Sequence, residues 1–462
     1  MTLQTADEVE VEAAPAPSER AAQLARLSPA RAAIELAWPS IVEQSLTAAG
    51  TAIIFAFVGH LGATATAGVG AAGNFLFLMF PVWRSLAIGT IAIVSRRMGE
   101  GRPDEAADAT RQSLMLGAIA GLAFGVLFVF ASEPLLRTLG ATGEVLAIAV
   151  PFLQVLGVAN TAATIWLIGT SAMRAAGDTR TPMFLSAANV MLSVVLAFFF
   201  IDVLQIGPMG SAYAQTSTWV IGMVATLVIL RRGVAGLSVA SGAWRLTWTT
   251  IRRIYEISLP SAAESAVFSF GILALSFLVF RLGTAQVAAH QIVGQIETFS
   301  FFPCIGFSVA ASSLVGQSLG MRETARAKSA GWAAAGMALA WSVVAGAIFV
   351  IFPGFLLGLF TNADSVVAAG VGALAVVGLG QPAQGLIFAL GGALRGAGDT
   401  RFPLIASFVN WFVVRLPLAY ILGFPLGLGL TGIWIGVTAD YFVRALMLAW
   451  RFNSGAWVRV KV

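Results

Sequence analysis

Four ionisable side chains inside long apolar stretches are the candidates for chemistry in this chain. Glu43 and Glu264 each fall near the middle of such a stretch, and Arg84 and Glu297 lie in two others. Because a charge at mid-bilayer costs about 3 kcal/mol or more, such groups face a partner, a bundle interior or water. A buried carboxyl that gains and loses a proton is what proton coupling requires. We therefore expect Glu264 and Glu43 to couple ion movement, and Arg84 and Glu297 to be cavity charges.

Glu43 and Arg84 are expected to form a pair, because counting residues along their helices brings both to a similar depth. Such a pair is either a static salt bridge or part of a functional site. The position equivalent to Arg84 in the second half of the chain is Ile305, so Glu264 is expected to lack a basic partner and to be free to bind a proton. Glu297 is expected to line the outward part of the same cavity.

Three further charges lie in apolar stretches near the end of the chain. Asp440 and Arg444 are four residues apart, which puts both side chains on one helix face and predicts an intrahelical pair. Arg415 has no acid in its own stretch and needs a partner from another helix.

With one cysteine, Cys304, there is neither a disulfide framework nor a metal-binding spacing of Cys and His, so no metal site and no cofactor are predicted.

The composition indicates that membrane-spanning helices hold these residues. The chain is 58% hydrophobic and only 11% charged, too apolar for a soluble globule. A helix needs about 20 apolar residues to cross a hydrocarbon core of roughly 30 Å. Twelve runs meet that length, near residues 33–58, 68–95, 112–131, 146–169, 182–203, 210–230, 257–280, 288–315, 330–353, 365–391, 403–423 and 431–450. They do not alternate as barrel strands would, so an all-α membrane protein with twelve transmembrane helices is predicted.

The chain is repeated internally with an offset of 221 residues. The recurring pairs include Arg31 and Arg252, Pro39 and Pro260, Glu43 and Glu264, Arg174 and Arg395, Asp178 and Asp399, and Asn189 and Asn410. Because each half has six spans, both copies enter the membrane in the same direction, which predicts two homologous six-helix lobes related by an axis along the membrane normal. Repeated lobes favour a transporter whose site lies between them.

The repeat and the polar segments divide the chain into five parts. These are a disordered cytoplasmic tail (1–30), an N-terminal lobe (31–230), a cytoplasmic or interfacial linker (231–256), a C-terminal lobe (257–450) and a second cytoplasmic tail (451–462). Tryptophans and arginines alternate in the linker, which suits an interfacial helix. In the repeated Gly-Asp-Thr-Arg segments, Gly177 and Gly398 are expected to end one helix while the aspartate caps the next. The following arginines should hold each turn at the membrane surface.

Basic residues are concentrated at alternate ends of the spans. Since Lys and Arg near span ends are retained in the cytoplasm, both termini are predicted to be cytoplasmic in a multi-pass protein of the inner membrane. The net charge of +5 is then a signal of topology, and no nucleic-acid partner is expected. The expected partners are a small-molecule substrate and the lipid bilayer, and the protein is expected to be a monomer.

Motifs of the main enzyme classes are missing from the sequence. It has no Gly-rich loop that ends in Lys-Ser or Lys-Thr, no His-Glu-x-x-His and no nucleophile elbow. The loops are also too short for a soluble catalytic domain. Nucleotide hydrolysis and other enzymatic activity are thus not predicted, and secondary transport remains.

Several short segments resemble the multidrug and toxic compound extrusion (MATE) transporters. They are Trp38-Pro39-Ser40-Ile41-Val42-Glu43-Gln44, Val58-Gly59-His60-Leu61-Gly62, Ala288-Ala289-His290-Gln291-Ile292 and the two Arg-x-Ala-Gly-Asp-Thr-Arg-x-Pro repeats. The resemblance covers nearly the whole chain after residue 30. It implies two lobes around a V-shaped cavity, alternating access, and export of organic cations or other amphipathic compounds in exchange for protons or sodium.

The sequence departs from this family at its ion-binding positions. Many members have an Asp where Ile54 stands, and the sodium-binding branch has an acid within the stretch 365–394, where none is present here. The helix 7 acid carries over as Glu264. We therefore expect a proton-driven exporter of amphipathic, cationic molecules in which protonated Glu264, together with Glu43, competes with the substrate. The alternatives are a sodium-coupled exporter, a flippase for lipid-linked saccharides and an intramembrane enzyme.

Overall fold

The computed structural model describes residues 18–138 and 140–460, except for the side chains of residues 76–80. Long helices dominate these residues. In chain order they are α1 (Glu19–Arg26), α2 (Pro29–His60), α3 (Ala63–Gly99), α4 (Pro103–Thr138), α5 (Gly143–Ala175), α6 (Arg180–Phe198), α7 (Met209–Arg232), α8 (Trp248–Phe280), α9 (Thr284–Gly320), α10 (Thr324–Ile351), α11 (Pro353–Gly358), α12 (Asp364–Gly396), α13 (Arg401–Val409), α14 (Leu416–Gly423) and α15 (Gly429–Asn453). Short π-helical turns extend α6 and join α13 to α14.

Twelve long helical segments form two lobes. Eleven of them are long and apolar enough to cross a membrane, and α3, with 37 residues, is the twelfth. The helices α2–α7 form the N-terminal lobe, and α8–α15 form the C-terminal lobe with the short α11 as an addition. The predicted all-α, twelve-helix, two-lobe architecture is confirmed, and the chain is an integral multi-pass membrane protein.

Glycine lets neighbouring helices within a lobe approach closely. A Cβ atom at Gly125 of α4 would lie 2.6 Å from the carbonyl oxygen of Gly157 in α5, and one at Gly346 of α10 would lie 2.3 Å from the carbonyl oxygen of Gly378 in α12. Both distances are shorter than any real contact of a Cβ atom. The hydrophobic effect does not drive helices together in lipid, so close van der Waals packing of this kind stabilises each lobe.

The repeated Gly-Asp-Thr-Arg segments end one helix and begin the next, as predicted. Gly177 and Gly398 have φ values of +96° and +89°, a conformation that favours glycine after a helix end. The carboxylate of Asp178 accepts hydrogen bonds from the amides of Arg180 (2.9 Å) and Thr181 (3.0 Å) at the start of α6. The turn therefore reverses the chain within a few residues and sets α6 against α5.

Two predicted parts differ in the structure. The described portion of the tail predicted to be disordered contains the helix α1, and its earlier residues lie outside the described ones. The linker contains no separate interfacial helix, because residues 233–247 are irregular and the following residues belong to α8, which begins at Trp248. Leu237 and Val239 anchor the irregular segment in the core of the N-terminal lobe.

The helix α1 lies across both lobes on the side of the bundle that holds the first and last described residues, here called the terminal face. Arg20 donates to the carbonyl oxygen of Gly177 in the N-terminal lobe (3.2 Å), and Arg326 of the C-terminal lobe donates to the carbonyl oxygen of Leu24 (2.7 Å). Leu24 is buried at this junction. α1 thus links the lobes at the terminal face.

The lobes are in close contact near the terminal face, where the last turns of α3 and α9 meet. A Cβ at Gly99 would lie 2.1 Å from the carbonyl oxygen of Gln317, and one at Gly320 would lie 2.2 Å from the carbonyl oxygen of Arg96. The Gln317 side chain also donates across the interface to the carbonyl oxygen of Ala175, at 2.8 Å. Backbone-to-backbone packing of this kind joins the two lobes on this side.

The same two helices separate toward the opposite face. Gly73 and Gly294 are equivalent positions in α3 and α9. Among the described atoms, neither has a neighbour from another element within 4 Å of where a Cβ would lie. The neighbouring Asn74 and Gln295 are also equivalent, and both are exposed. Because polar side chains in a membrane span avoid lipid and face protein or water, these residues mark a cleft between the lobes. The two helices are thus packed backbone to backbone at the terminal face and less closely at Gly73 and Gly294.

Replacing Gly320 with valine should open the terminal face. The added side chain would meet the backbone of Arg96, which cannot move aside as a flexible side chain can. We expect the distance between spin labels at Arg180→Cys and Arg401→Cys, measured by pulsed electron paramagnetic resonance, to increase in Gly320→Val. These two sites are exposed and equivalent, one in each lobe.

The control is Gly294→Val, where the added side chain enters open space. It should leave the label separation as in the parent. Both variants require Cys304→Ser, since that buried thiol is the only native cysteine. An unchanged separation in Gly320→Val would mean that this contact does not hold the face closed.

Candidate functional site

Glu43 lies in a buried group of three side chains in the N-terminal lobe. Its Oε1 accepts a hydrogen bond from Nη2 of Arg174 at 2.5 Å and another from Oγ of Ser186 at 2.8 Å. Its Oε2 is buried and has no hydrogen-bond partner in the described part of the chain. Glu43 comes from α2, Arg174 from the last turn of α5 and Ser186 from α6. The carboxylate is therefore neutralised within its own lobe and keeps one unused oxygen.

Glu264 lies in the equivalent group of the C-terminal lobe, with one arginine more. Arg395 donates Nη2 to Oε1 at 2.7 Å and Nε to Oε2 at 3.3 Å, and Ser407 donates to Oε1 at 3.1 Å. Arg444 of α15 adds a further bond to Oε1, at 2.9 Å, and also donates to Ser407 at 2.6 Å. Both carboxylate oxygens are thus occupied.

The two groups obey the 221-residue offset and have the same local cause. In each lobe the left-handed glycine turn places the arginine of the preceding helix and the serine of the following helix on one side, facing the glutamate. The N-terminal group also touches the other lobe, since Ser313 of α9 donates to the carbonyl oxygen of Arg174 at 2.8 Å. The residue that holds Glu43 therefore also takes part in the contact that closes the terminal face.

The structure corrects the predicted partners of both glutamates. Glu43 pairs with Arg174 and not with Arg84, and Glu264 has two arginines where none was expected. The sequence pattern did not predict Arg174 or Arg395 as a partner of either glutamate. One signal was available: an arginine that recurs at the same offset as a buried glutamate is a candidate for its partner.

Arg84 lies in the cleft between the lobes. Arg84 lies well away from both ends of α3, yet its side chain is exposed and makes no hydrogen bond or ion pair with a described residue. It lies within electrostatic range of Glu264, Arg395 and Arg444 in the other lobe. An exposed guanidinium at this depth must face water, because lipid would not solvate it. That Arg84 is a cavity charge stays a prediction.

Glu297 does not line the cleft, contrary to expectation. It is buried inside the C-terminal lobe, where Tyr441 donates to its Oε1 at 2.8 Å and Gln381 donates at 3.5 Å. Gln381 in turn accepts from Ser300 at 2.6 Å. This polar network joins α9, α12 and α15 and has the character of a structural link between helices.

The predicted Asp440–Arg444 pair is also absent. Asp440 instead forms a buried ion pair with Arg415, and Arg444 is directed to Glu264. The Arg415 guanidinium carbon lies 3.9 Å from the centroid of the Trp411 ring, a favourable cation–π contact. The π-helical turn Asn410–Arg415 places both residues on the inner side of the helix. The missing partner of Arg415 is thereby identified.

No group of three or more His, Cys, Asp or Glu side chains in the described residues could hold a metal ion. Glu43, Glu264 and Glu297 each accept hydrogen bonds from N–H or O–H donors. The arrangement can exchange a proton at a carboxyl, and it can present arginines to an anion in the cleft.

Comparison with known proteins agrees with the internal repeat. A family model described as MatE matches residues 39–199 and again 260–421. The chain is 28% identical to a probable multidrug resistance protein NorM of Thermotoga maritima, over 92% of each chain. It is 26% identical to an uncharacterized transporter, YisQ, of Bacillus subtilis, over 92% of this chain and 94% of that one.

Solved structures share the fold. A multidrug resistance MATE family transporter of the MOP superfamily in an outward-facing conformation has a TM-score of 0.88 at 23% identity, covering 95% of this chain and 99% of that one. A MOP superfamily transporter from Pyrococcus furiosus, described as having a binding pocket of reverse polarity, has a TM-score of 0.89 at 22% identity, covering 96% and 100%.

Glu264→Gln should destabilise the protein, because it leaves Arg395 and Arg444 without a carboxylate in a buried site. Removing one partner of a buried ion pair costs about 3 kcal/mol. We expect a lower melting temperature in detergent, measured by tryptophan fluorescence. In the double variant Glu264→Gln with Arg395→Gln, part of the loss should be recovered.

The matched control is Glu256→Gln, which breaks the exposed pair with Arg252 on the same helix. Exposed pairs contribute about 1 kcal/mol or less, so this variant should melt close to the parent. Equal melting temperatures for Glu264→Gln and Glu256→Gln would show that the buried group does not stabilise the lobe.

Proposed function

The chain belongs to the MatE family of transporters, and on that premise we propose that it is a secondary active antiporter that exports amphipathic small molecules in exchange for protons. Resemblance to multidrug resistance proteins over nearly the whole chain supports a role in efflux of such compounds. In this proposal the protein lies in the cell membrane with the terminal face in the cytoplasm. The concentration of basic residues at that face supports this orientation.

The buried glutamate groups, one in each lobe, are the observation that carries the proposal. Each places a single carboxyl between an arginine of one helix and a serine of the next, inside a span. We assign ion coupling to Glu43 and Glu264. A carboxylate bonded to guanidinium contributes charge-assisted bonds that protonation removes. Gain or loss of one proton therefore changes how three helices of a lobe are held together.

The N-terminal group offers a direct route from protonation to lobe movement. Glu43 has an oxygen without a hydrogen-bond partner, so a proton can be placed there without displacing an existing bond. Neutralising Glu43 would release the side chain of Arg174, whose carbonyl oxygen holds Ser313 of the other lobe. If the side chain of Arg174 is released from Glu43, the hydrogen bond between its carbonyl oxygen and Ser313 at the terminal face would change as well.

Protons suit these sites better than sodium ions do. Sodium, like other hard cations, is bound by several oxygen ligands. Around Glu43 and Glu264 the nearest groups are instead guanidinium donors, which repel a cation. A proton needs only one oxygen, and its binding cancels the charge that attracts the arginine. This chemistry supports proton coupling over the sodium alternative.

The proposal predicts that an imposed proton gradient drives dye movement in proteoliposomes, whereas a sodium gradient does not. Fluorescein and rhodamine 6G are suitable probes, because they share a ring system and differ in charge. Glu43→Gln and Glu264→Gln should each abolish gradient-driven transport while remaining in the membrane, since neither amide can exchange a proton.

The control is Glu256→Gln, which replaces an exposed acid outside both groups and should transport as the parent does. If the sodium gradient drives transport instead, sodium is the coupling ion. Normal proton-driven transport by Glu264→Gln or Glu43→Gln would remove that residue from the coupling mechanism, and no gradient-driven movement of either dye in the parent would argue against the exporter assignment.

A further inference from the structure

We infer that the substrate carries an anionic group, which arginines from both lobes bind in the cleft. This inference rests on the proposed function, because it takes the cleft as the transport path. It differs from the sequence-based expectation of a cationic substrate. Its test is equilibrium binding without any gradient, so that it can fail or succeed separately from the antiport proposal.

The charges that face the cleft are predominantly positive. Arg84 projects from the N-terminal lobe as an exposed guanidinium without a bonded partner among the described side chains. Opposite it lie Arg395 and Arg444, and Glu264 is the acid among the described charges that act on Arg84. Three guanidinium groups and one carboxylate leave two positive charges in excess. Low-dielectric walls concentrate such a field, which attracts anions and repels cations.

Neither glutamate offers a cation a carboxylate that is not already paired with an arginine. Both oxygens of Glu264 already accept hydrogen bonds from arginines, and Glu43 is buried against Arg174 within its own lobe. A cationic substrate would have to displace these arginines while also approaching Arg84. An anion would not be repelled by these arginines, and it would give Arg84 the negatively charged partner that this side chain lacks.

The geometry suits an acidic headgroup that bridges the lobes. A guanidinium presents a planar fork of donors that matches carboxylate, sulfonate and phosphate oxygens. Arg84 supplies a fork from α3. Arg444 donates to Glu264 through one nitrogen only, and its buried Nε has no hydrogen-bond partner among the described residues, so an anion that displaces Glu264 would find a donor there. An anion held by both would link the lobes across the open cleft.

Glu264 then serves as an internal competitor for the arginines. Its carboxylate occupies Arg395 and Arg444 when the site is empty, and the substrate's anionic group contends for the same donors. Neutralising Glu264, by substitution or by a proton, would free those donors and strengthen anion binding. A proton on Glu264 and the anion therefore favour each other, and loss of that proton favours release of the anion, so Glu264 as well as Glu43 takes part in coupling.

The experiment compares equilibrium binding of fluorescein, an anion, and rhodamine 6G, a cation, to the purified full-length protein by fluorescence polarisation. We expect the parent to bind fluorescein more tightly. Arg84→Gln should weaken fluorescein binding by about tenfold, the effect of losing one charged hydrogen bond. Glu264→Gln should tighten it. Arg84 has no bonded partner to lose, so its substitution should not unfold the protein.

The control is Arg401→Gln, which removes an equally exposed arginine at the terminal face, away from the cleft. It should leave binding of both dyes unchanged. The inference would be overturned if the parent bound rhodamine 6G more tightly than fluorescein, and if Arg84→Gln strengthened and Glu264→Gln weakened the binding of rhodamine 6G. Fluorescein binding that does not respond to Arg84→Gln would also overturn it.

The anionic group can belong to a soluble compound or to a lipid headgroup. Proteoliposomes with fluorescently labelled phosphatidylglycerol distinguish these sources, because a reducing agent added outside quenches only the outer leaflet. Lipid movement that requires Arg84, together with competition between this lipid and fluorescein, would identify a lipid anion. Arg84-dependent fluorescein binding without lipid movement would identify a soluble organic anion.

Discussion

The cost of holding a carboxylate inside an apolar bundle governs the interior of this protein. Glu43 and Glu264 must be neutralised where they lie, because an unpaired charge away from water is too expensive to keep. The neutralising arginine comes in both lobes from the end of the helix that precedes the glycine turn. The position of that turn, the pairing of three helices and the burial of the acid are therefore parts of one constraint.

The duplicated lobes satisfy that constraint differently. The N-terminal group has one arginine and a carboxylate oxygen to spare, whereas Arg444 completes the C-terminal group. The position equivalent to Arg444 is Met223, and the position equivalent to Arg84 is Ile305. The lobes therefore differ both at the buried glutamate and at the position of Arg84. The N-terminal group keeps a carboxylate oxygen without a partner, and each lobe carries one arginine, Arg84 or Arg444, that its equivalent position lacks.

Close packing of glycines gives the protein a discrete closed face. Where α3 and α9 meet, backbone lies against backbone, and at equivalent positions nearer the opposite face the same helices are apart. Rigid lobes in contact along one edge can rock about it, which is the usual basis of alternating access. The bond from Ser313 to the carbonyl oxygen of Arg174 joins this edge to the buried acid.

The sequence alone determined the architecture. Twelve apolar runs, an offset of 221 residues and two repeated helix ends were sufficient to predict two six-helix lobes, because span length and turn chemistry are local properties. The buried acids were also identifiable, since a charge inside an apolar run stands out. Local patterns were less informative about α1, whose helix depends on contacts with both lobes.

Only the tertiary structure decided which charges meet. The pairs of Glu43 with Arg174 and of Glu264 with Arg395 each join residues 131 positions apart, and that of Glu264 with Arg444 spans 180. A side chain bonds only what lies within about 3 Å, so its partner depends on how helices are packed and rotated. Depth along a span is shared by many residues, and it therefore could not distinguish Arg84 from Arg174 as the partner of Glu43.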